Sequence, residues 1–428
     1  MSPEKPTPQT QPPSFNLREI IDGGLVEPHF QPIVSLNRRS IIGVEGLSRG
    51  LYPGTRQLIP PTELFHQAMI QGLEPDLDRL CRTKIMEDFR LVLADSPEFF
   101  LTLNLDSSLF EKGMAASDFL RRQTAEMGLK PEQIALEIIE SDVGDLKELQ
   151  KFVQLHRSYG FLIALDDVGA GHSNLNRIPL IKPDILKIDR YLVQDIQGDF
   201  YKQEVLRSLV KMARRLGALI IAEGVESEEE ALFLLDTDVD MIQGYFFARP
   251  QHRSRLEKQA VAGRIEGLGE AFKQTFLKRI GVRKFKMNHF YALIMEAQME
   301  LRIKGQAHFD GALRGIAVRF PLVEGAFILN ENGAQVSEYF FNDKGNTRRG
   351  SVVFQPFPKG SDHSMKDYYI SLMDPSSSKG SYVTEPYLSP ATGTGCVTIS
   401  SFFMNEEKKR FILCLDVNTH ALGGENDG

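Results

Sequence analysis

Between residues 28 and 250, short apolar runs alternate with stretches of helical period. The runs are HFQPIVSL, SIIGVEGLS, FFLTLNL, IALEIIE, FLIALDD, DILKID, ALIIAEGV and MIQGYFF. Only Asn37 to Arg39 separate the first two, which predicts a hairpin. In YKQEVLRSLVKMARRLG, residues Val205, Leu206, Leu209, Val210, Ala213 and Leu216 share one helical face, and Gly217 is a stop signal. DLKELQKFVQLHRSYG repeats the pattern and stops at Gly160. Strands apolar on both faces that alternate with helices predict a parallel sheet covered by helices. Eight such runs in this span predict an α/β, TIM-like (β/α)8 barrel rather than an open sheet. The opening hairpin makes one of its strands antiparallel.

After ARPQ the pattern changes. Residues 253–304 read as long helices with charged outer faces, a linker suited either to packing on the barrel or to dimerising and passing a signal. From residue 306 the chain turns to strands and polar loops: GAFILNENGAQVSEYFF, GSVVFQP, DYYISLM, GTGCVTISSFFM and KRFILCLDV. NENG reads as a hairpin turn with Gly333 free to take positive φ. The expected organisation is a Pro-rich tail at 1–15, a barrel at 16–252, a helical linker at 253–304 and an α+β domain at 305–428, with ALGGENDG as a frayed end.

Composition narrows the function classes. Hydrophobic residues are 42% and charged residues 25% of the 428, which is globular. A net charge of −7 argues against broad binding to polymeric nucleic acid or an anionic membrane, while leaving room for a local phosphate pocket. Cys81, Cys396 and Cys414 lack metal spacing and read as buried thiols of a reducing compartment. No apolar run approaches the ~18 residues of a membrane span. The amino terminus has five prolines in thirteen residues and no apolar core, so it does not read as a signal peptide. A cytoplasmic protein is expected.

The candidate chemistry lies at the ends of the runs. Glu45, Asn104, Glu137 and Glu140, Asp166 and Asp167, Lys187 and Asp189, Glu223 and Glu226, and Gln243 each follow or close an apolar run. From Asn104 the intervals are 33, 29, 21, 36 and 20 residues, about one strand–helix unit each. In a barrel these ends converge on one face. Any one carboxylate there is explained by a helix N-cap, and Asp189 equally by pairing with Arg190; a whole ring is not. So many carboxylates with one lysine need cations. With only oxygen donors, Mg²⁺ or Mn²⁺ is favoured over Zn²⁺. Adjacent Asp166 and Asp167 suit two ions, which clamp the oxygens of a phosphodiester, and Lys187 adds a point charge.

These motifs resemble a known family. QPIVSLNRRSIIGVEGLSR is similar to the opening of EAL-domain cyclic di-GMP phosphodiesterases, and LNLD, LEIIES, LDDVGAGHSNL, ILKIDR, IIAEGVES and QGYFFARP resemble its later motifs in order, over residues 16–250. The resemblance implies hydrolysis of cyclic di-GMP to pGpG with two Mg²⁺ or Mn²⁺ ions, Ca²⁺ supporting binding but not turnover, and a homodimer. It implies Glu45, Asn104, Glu137 and Asp166 on one ion, and Asp166, Asp167 and Glu223 on the other. Lys187 and Gln243 would place the water, and Glu140 would hold the loop after the double aspartate. Gln31, Leu47, Arg49 and Pro250 would meet substrate, with Asp189 and Glu226 just behind.

Two departures stand out. Gly46 replaces the alanine of the name motif. The loop, close to DDFGTGYSSL in the family, has Val168, Ala170, His172 and Asn174. An active hydrolase of reduced or regulated rate, a silent cyclic di-GMP receptor and a pure interaction scaffold are therefore the competing expectations. VEGAFILNENGAQVSEYF resembles the central hairpin of PAS or Cache domains, implying a sensor for an unknown small ligand or a dimerisation module.

Overall fold

The structure is a computed structural model describing residues 15–105, 118–139, 146–170, 175–342, 356–374, 380–389 and 392–419. The tail at 1–14, Glu140, residues 171–174, most of GSVVFQP and the end ALGGENDG lie outside the described residues. The contacts divide into two compact units, with the change at residues 274 and 275.

In the first unit, eight described strands close into a barrel. They are β1 (Val26–Ser35), β2 (Ser40–Leu51), β4 (Phe100–Leu105), β5 (Ile134–Ile139), β6 (Leu162–Val168), β7 (Ile185–Ile188), β8 (Leu219–Ala222) and β9 (Met241–Ile242), and a short β3 (Leu58–Ile59) adds to the edge of β2. The pairs from β2–β4 to β8–β9 are parallel. β1 is antiparallel to both its neighbours, β2 and β9, as the hairpin implied. MIQGYFF contributes only Met241 and Ile242 to the sheet.

Side-chain alternation sorts each strand into two faces. Leu101, Leu103, Leu136, Ile138, Ile163, Leu165, Leu186, Ile188, Ile220 and Ile242 belong to the core shared with the surrounding helices. Ile33, Ala135, Ala164, Ile185, Ile221 and Met241 form a separate apolar cluster. Being of opposite parity to the first set, they point into the barrel and make its floor.

The helix Phe200–Leu216 stops at Gly217, whose φ is 74°, as expected. Its buried face differs from the expected one. Val205 and Leu216 are exposed, and Gln203 is buried instead, donating from Nε2 to the carbonyls of Ile196 (3.0 Å) and Gln197 (3.1 Å). Cys81, Cys396 and Cys414 are buried thiols. The linker is one continuous helix, Lys258–Arg302, rather than several. No described helix is long and apolar enough to cross a membrane.

The second unit is α+β. Its strands β10 (Val323–Asn330), β11 (Phe340–Phe341), β12 (Ser381–Val383), β13 (Tyr387–Leu388), β14 (Gly395–Met404) and β15 (Arg410–Asn418) form one antiparallel sheet. Gly333 turns with φ 85°. Two expectations fail here. DYYISLM is a helix, Asp367–Met373, because Tyr368, Tyr369, Leu372 and Met373 recur at helical spacing and pack on one face of the sheet. A further helix, Phe309–Arg319, buries Phe309, Ala312, Leu313, Ile316 and Ala317 against the other face.

Candidate functional site

The polar ring stands one step above the floor. Glu137, Asp166, Lys187, Glu223 and Gln243 each follow a floor residue by two positions: Ala135, Ala164, Ile185, Ile221 and Met241. Gln31 precedes Ile33 by two on the reversed strand β1, and Gln31 pairs with Glu45 across the hairpin. Equal parity carries all of them into the barrel at the carboxyl ends of its parallel strands, the usual place for chemistry in this architecture.

Lys187 is the centre. Its side chain is 1% exposed, and Nζ lies 2.6 Å from Glu137 Oε1, 2.6 Å from Glu223 Oε1, 3.4 Å from Asp166 Oδ1 and 3.7 Å from Glu45 Oε1. Burial acts against its charge, but the four carboxylates outweigh burial and raise its pKa well above the ordinary lysine value. Burial pushes Glu137 up to about 8, with Lys187 opposing and Glu45 and Asp166 adding to the rise. Glu223 shifts the same way, again mainly by burial, with Lys187 opposing.

Three carboxylate oxygens in this cluster, both of Glu137 and Oε1 of Glu223, are buried without a directed hydrogen bond among the described residues. The Lys187 ammonium meets two of them, Glu137 Oε1 and Glu223 Oε1, at 2.6 Å each. One ammonium among four acids leaves an excess of buried negative charge and unused oxygen lone pairs. A hard divalent cation suits that donor set. Among the described residues no three His, Cys, Asp or Glu side chains are grouped to hold an ion as they stand, because the acids turn toward Lys187.

The other predicted residues divide into those brought to the ring and those held elsewhere. Asn104 Nδ2 donates to Glu45 Oε1 at 3.1 Å. Gln243 Nε2 donates to Gln31 Oε1 (2.9 Å) and to Glu45 Oε2, while Gln31 Nε2 donates to the Ala248 carbonyl (3.0 Å). Gln243 Oε1 is buried with no hydrogen-bond partner among the described residues. Pairing of Phe30 with Gln251 sets Pro250 beside Gln31. Leu47 and Arg49 are half-buried on β2; Arg49 Nη1 donates to the Ser48 carbonyl at 2.9 Å, and burial lowers the guanidinium pKa.

Asp189 instead caps the helix Arg190–Val193, accepting from Tyr191 N–H at 2.8 Å. Glu226 pairs with Arg190 at 3.0 Å on the surface. Glu140 lies outside the described residues.

The double aspartate sits where β6 slips register against β7, between Leu165 and Val168. Asp166 Oδ1 accepts from the Asp167 N–H at 2.9 Å, and Asp167 has φ 56°. At Gly169, φ is 98° and the Leu192 side chain occupies the space a Cβ would need, so only glycine fits. Sequence reasoning missed Glu230, a buried carboxylate whose signal was present in the S-x-x-E spacing of Ser227 to Glu230.

Residues 16–250 match the family described as the EAL domain. The EAL-domain-containing protein YkuI of Bacillus subtilis is 26% identical over 397 residues, covering 90% of this chain and 93% of its own length. The probable cyclic di-GMP phosphodiesterase PdeB of Escherichia coli is 30% identical over 240 residues, 56% of this chain; the matched part is 45% of that relative's length. The crystal structure of YkuI, in complex with substrate c-di-GMP and calcium, aligns with a TM-score of 0.78 at 23% identity, covering 95% of this chain and 99% of that one, a likeness of fold. The PaMucR phosphodiesterase in complex with c-di-GMP aligns with a TM-score of 0.51 at 27% identity, over 56% of this chain and 97% of that one. The chain belongs to the EAL-domain family.

Proposed function

We propose that the barrel hydrolyses cyclic di-GMP to linear pGpG with Mg²⁺ or Mn²⁺. The observation that carries this reading is the convergence of Glu45, Glu137, Asp166 and Glu223 on Lys187, with buried carboxylate oxygens left without hydrogen-bond partners among the described residues. The naming of PdeB as a probable cyclic di-GMP phosphodiesterase supports it.

Glu45, Asn104, Glu137 and Asp166 are assigned to one ion, and Asp166, Asp167 and Glu223 to the other. Bound divalent ions would supply positive charge to the phosphodiester oxygens and lower the pKa of a water. Lys187 keeps a fixed ammonium at the reacting phosphorus. Gln243, anchored through Nε2 by Glu45 and Gln31, has Oε1 left to accept from the attacking water. Arg49 adds donors for a non-bridging phosphate oxygen. The water oxygen forms a bond to phosphorus and gives up a proton, one bridging P–O bond breaks, and the departing oxygen takes up a proton to become a ribose hydroxyl, so no net proton is needed. Gln31, Leu47 and Pro250 border the space for the nucleotide; Asp189 and Glu226 stand behind it, and Glu140 is assigned to the loop after Asp167.

The test is incubation of the full chain with cyclic di-GMP and Mg²⁺ or Mn²⁺, followed by chromatography. pGpG is expected, and Glu45→Ala is expected to abolish it. A second reading, a silent receptor, rests on Val168 and Ala170 in the altered loop. It predicts calorimetric binding of cyclic di-GMP in Ca²⁺ with no pGpG in Mg²⁺ or Mn²⁺. The second unit is assigned as a PAS- or Cache-like sensor or dimerisation domain, the chain as a homodimer, and its compartment as the cytoplasm. Light scattering and a comparison of hydrolysis by residues 1–252 with the full chain address the first two.

A further inference from the structure

Glu230 lies outside the ring, on the first turn of the helix Glu228–Asp236, and is only 3% exposed. Its carboxylate takes three backbone N–H groups from two loops. Oε2 accepts from Glu226 (2.8 Å) and Ser227 (3.1 Å), the end of the loop that begins with Glu223. Oε1 accepts from Asp195 at 3.0 Å, in the loop that follows β7 and begins with Asp189. An ordinary capping box needs only the contact to its own N-cap. The bond to Asp195, 35 residues away in sequence, is additional, and Asp195 holds φ 55° there.

The same two loops meet at two further points. Glu223 N–H donates to the Ile188 carbonyl at 3.0 Å, at the root of both loops. Arg190 pairs with Glu226 at 3.0 Å, but both side chains are about half exposed, where an ion pair is worth little. Glu230 is the buried fastening at the far end. A carboxylate has acceptor sites for three donors, whereas glutamine has one carbonyl oxygen and an NH₂ that would face N–H groups.

We propose that Glu230 is a positioning residue that clasps the loop carrying Glu223 to the loop after β7 and so fixes Glu223 relative to Lys187. What it positions rests on the hydrolase reading; the clasp itself does not. Glu230→Gln keeps the volume but leaves a single acceptor oxygen, which cannot serve both loops, whereas Glu230→Ala removes both oxygens.

The test compares the full-length wild type with Glu230→Ala and Glu230→Gln by amide hydrogen exchange, with circular dichroism to confirm folding. In Glu230→Ala the expected result is faster exchange at Asp195 and at Glu226 and Ser227 together, by at least about tenfold at each. With cyclic di-GMP present, Mn²⁺ affinity is expected to fall about tenfold, and kcat to fall with KM unchanged, the size seen when an outer partner of a ligand is lost. Faster exchange at Glu226 and Ser227 alone in Glu230→Ala reduces Glu230 to an ordinary helix cap and overturns the proposal, as does unchanged exchange. Glu230→Gln, with one acceptor kept, is expected to speed exchange at the loop its amide NH₂ faces and to leave the other near wild type. A wild type that neither binds nor cleaves cyclic di-GMP defeats the hydrolase reading, while the exchange result still decides the clasp.

Discussion

Ile85 Cγ2 occupies the place that a Cβ on Gly46 would need. The glycine next to Glu45 is therefore matched by a branched side chain from the helix Glu74–Asp95, and Leu101 lines the same space. Restoring the family's alanine at this position overpacks the site. Gly46→Ala is expected to cost about 1–3 kcal/mol, a Tm loss of roughly 2–10 °C. Leucine carries no branch at Cβ, so Ile85→Leu removes Cγ2 at constant volume. The double variant should be more stable than the two single changes summed. Strict additivity in thermal unfolding would show that the two residues do not share the space.

Lys187 is the cation that faces four acids among the described residues, and its loss leaves them to repel one another. Lys187→Met is expected to destabilise the barrel by on the order of 3–5 kcal/mol. Added Mn²⁺ should restore much of the Tm and shift it more than in the wild type. A variant of wild-type stability, indifferent to Mn²⁺, would remove electrostatic balance as the reason for the lysine.

Asp189 separates capping from chemistry. Asparagine is an equally good N-cap, so Asp189→Asn should keep both Tm and hydrolysis near wild type, while Asp189→Ala should cost about 1 kcal/mol. Loss of hydrolysis in Asp189→Asn at unchanged Tm would place its charge at the substrate.

His363 predicts a pH dependence for the second unit. It is buried; Nε2 pairs with Gln335 Oε1 at 3.0 Å, and Nδ1 with the Tyr368 hydroxyl. The Gln335 Nε2 donates to the carbonyls of Ser337 and Phe357, leaving Oε1 to accept, so the neutral ring donates from Nε2. Burial, then Lys366, lower its pKa to about 4, with Asp362 opposing. The unfolded histidine titrates near ~6.5. The native state thus binds fewer protons, and this contribution is fully present above pH ~6.5 and lost as pH falls toward 4. The loss is on the order of 2–3 kcal/mol. Denaturant unfolding of the second unit from pH 7 to 4 should show it, and His363→Gln should flatten it. An unchanged slope in His363→Gln would assign the acid sensitivity to other groups.

The ring was legible because each member closes an apolar run, and a run of that length has to be a strand. Asp189 and Glu226 are harder to read from sequence for the opposite reason: caps and surface ion pairs use the same residue types as sites, and the cap of Asp189 and the Arg190 pair of Glu226 emerge only from coordinates. Glu230 was hidden because its partners are backbone N–H groups, one of them in a distant loop. Asp367–Met373 was misread since Tyr368, Tyr369 and Ile370 favour strands, and the packing of Tyr368 and Leu372 on the sheet overrode that preference.

The two-residue step between floor and ring makes the barrel's chemistry a matter of odd and even. Inserting one residue in β5 or β6 ahead of the acid would put Leu136 or Leu165 of the outer face where Glu137 or Asp166 stands, with no intermediate state. The floor residues are thus held in count by the acids above them. Length in these strands should be under tighter constraint than the identity of any single apolar side chain.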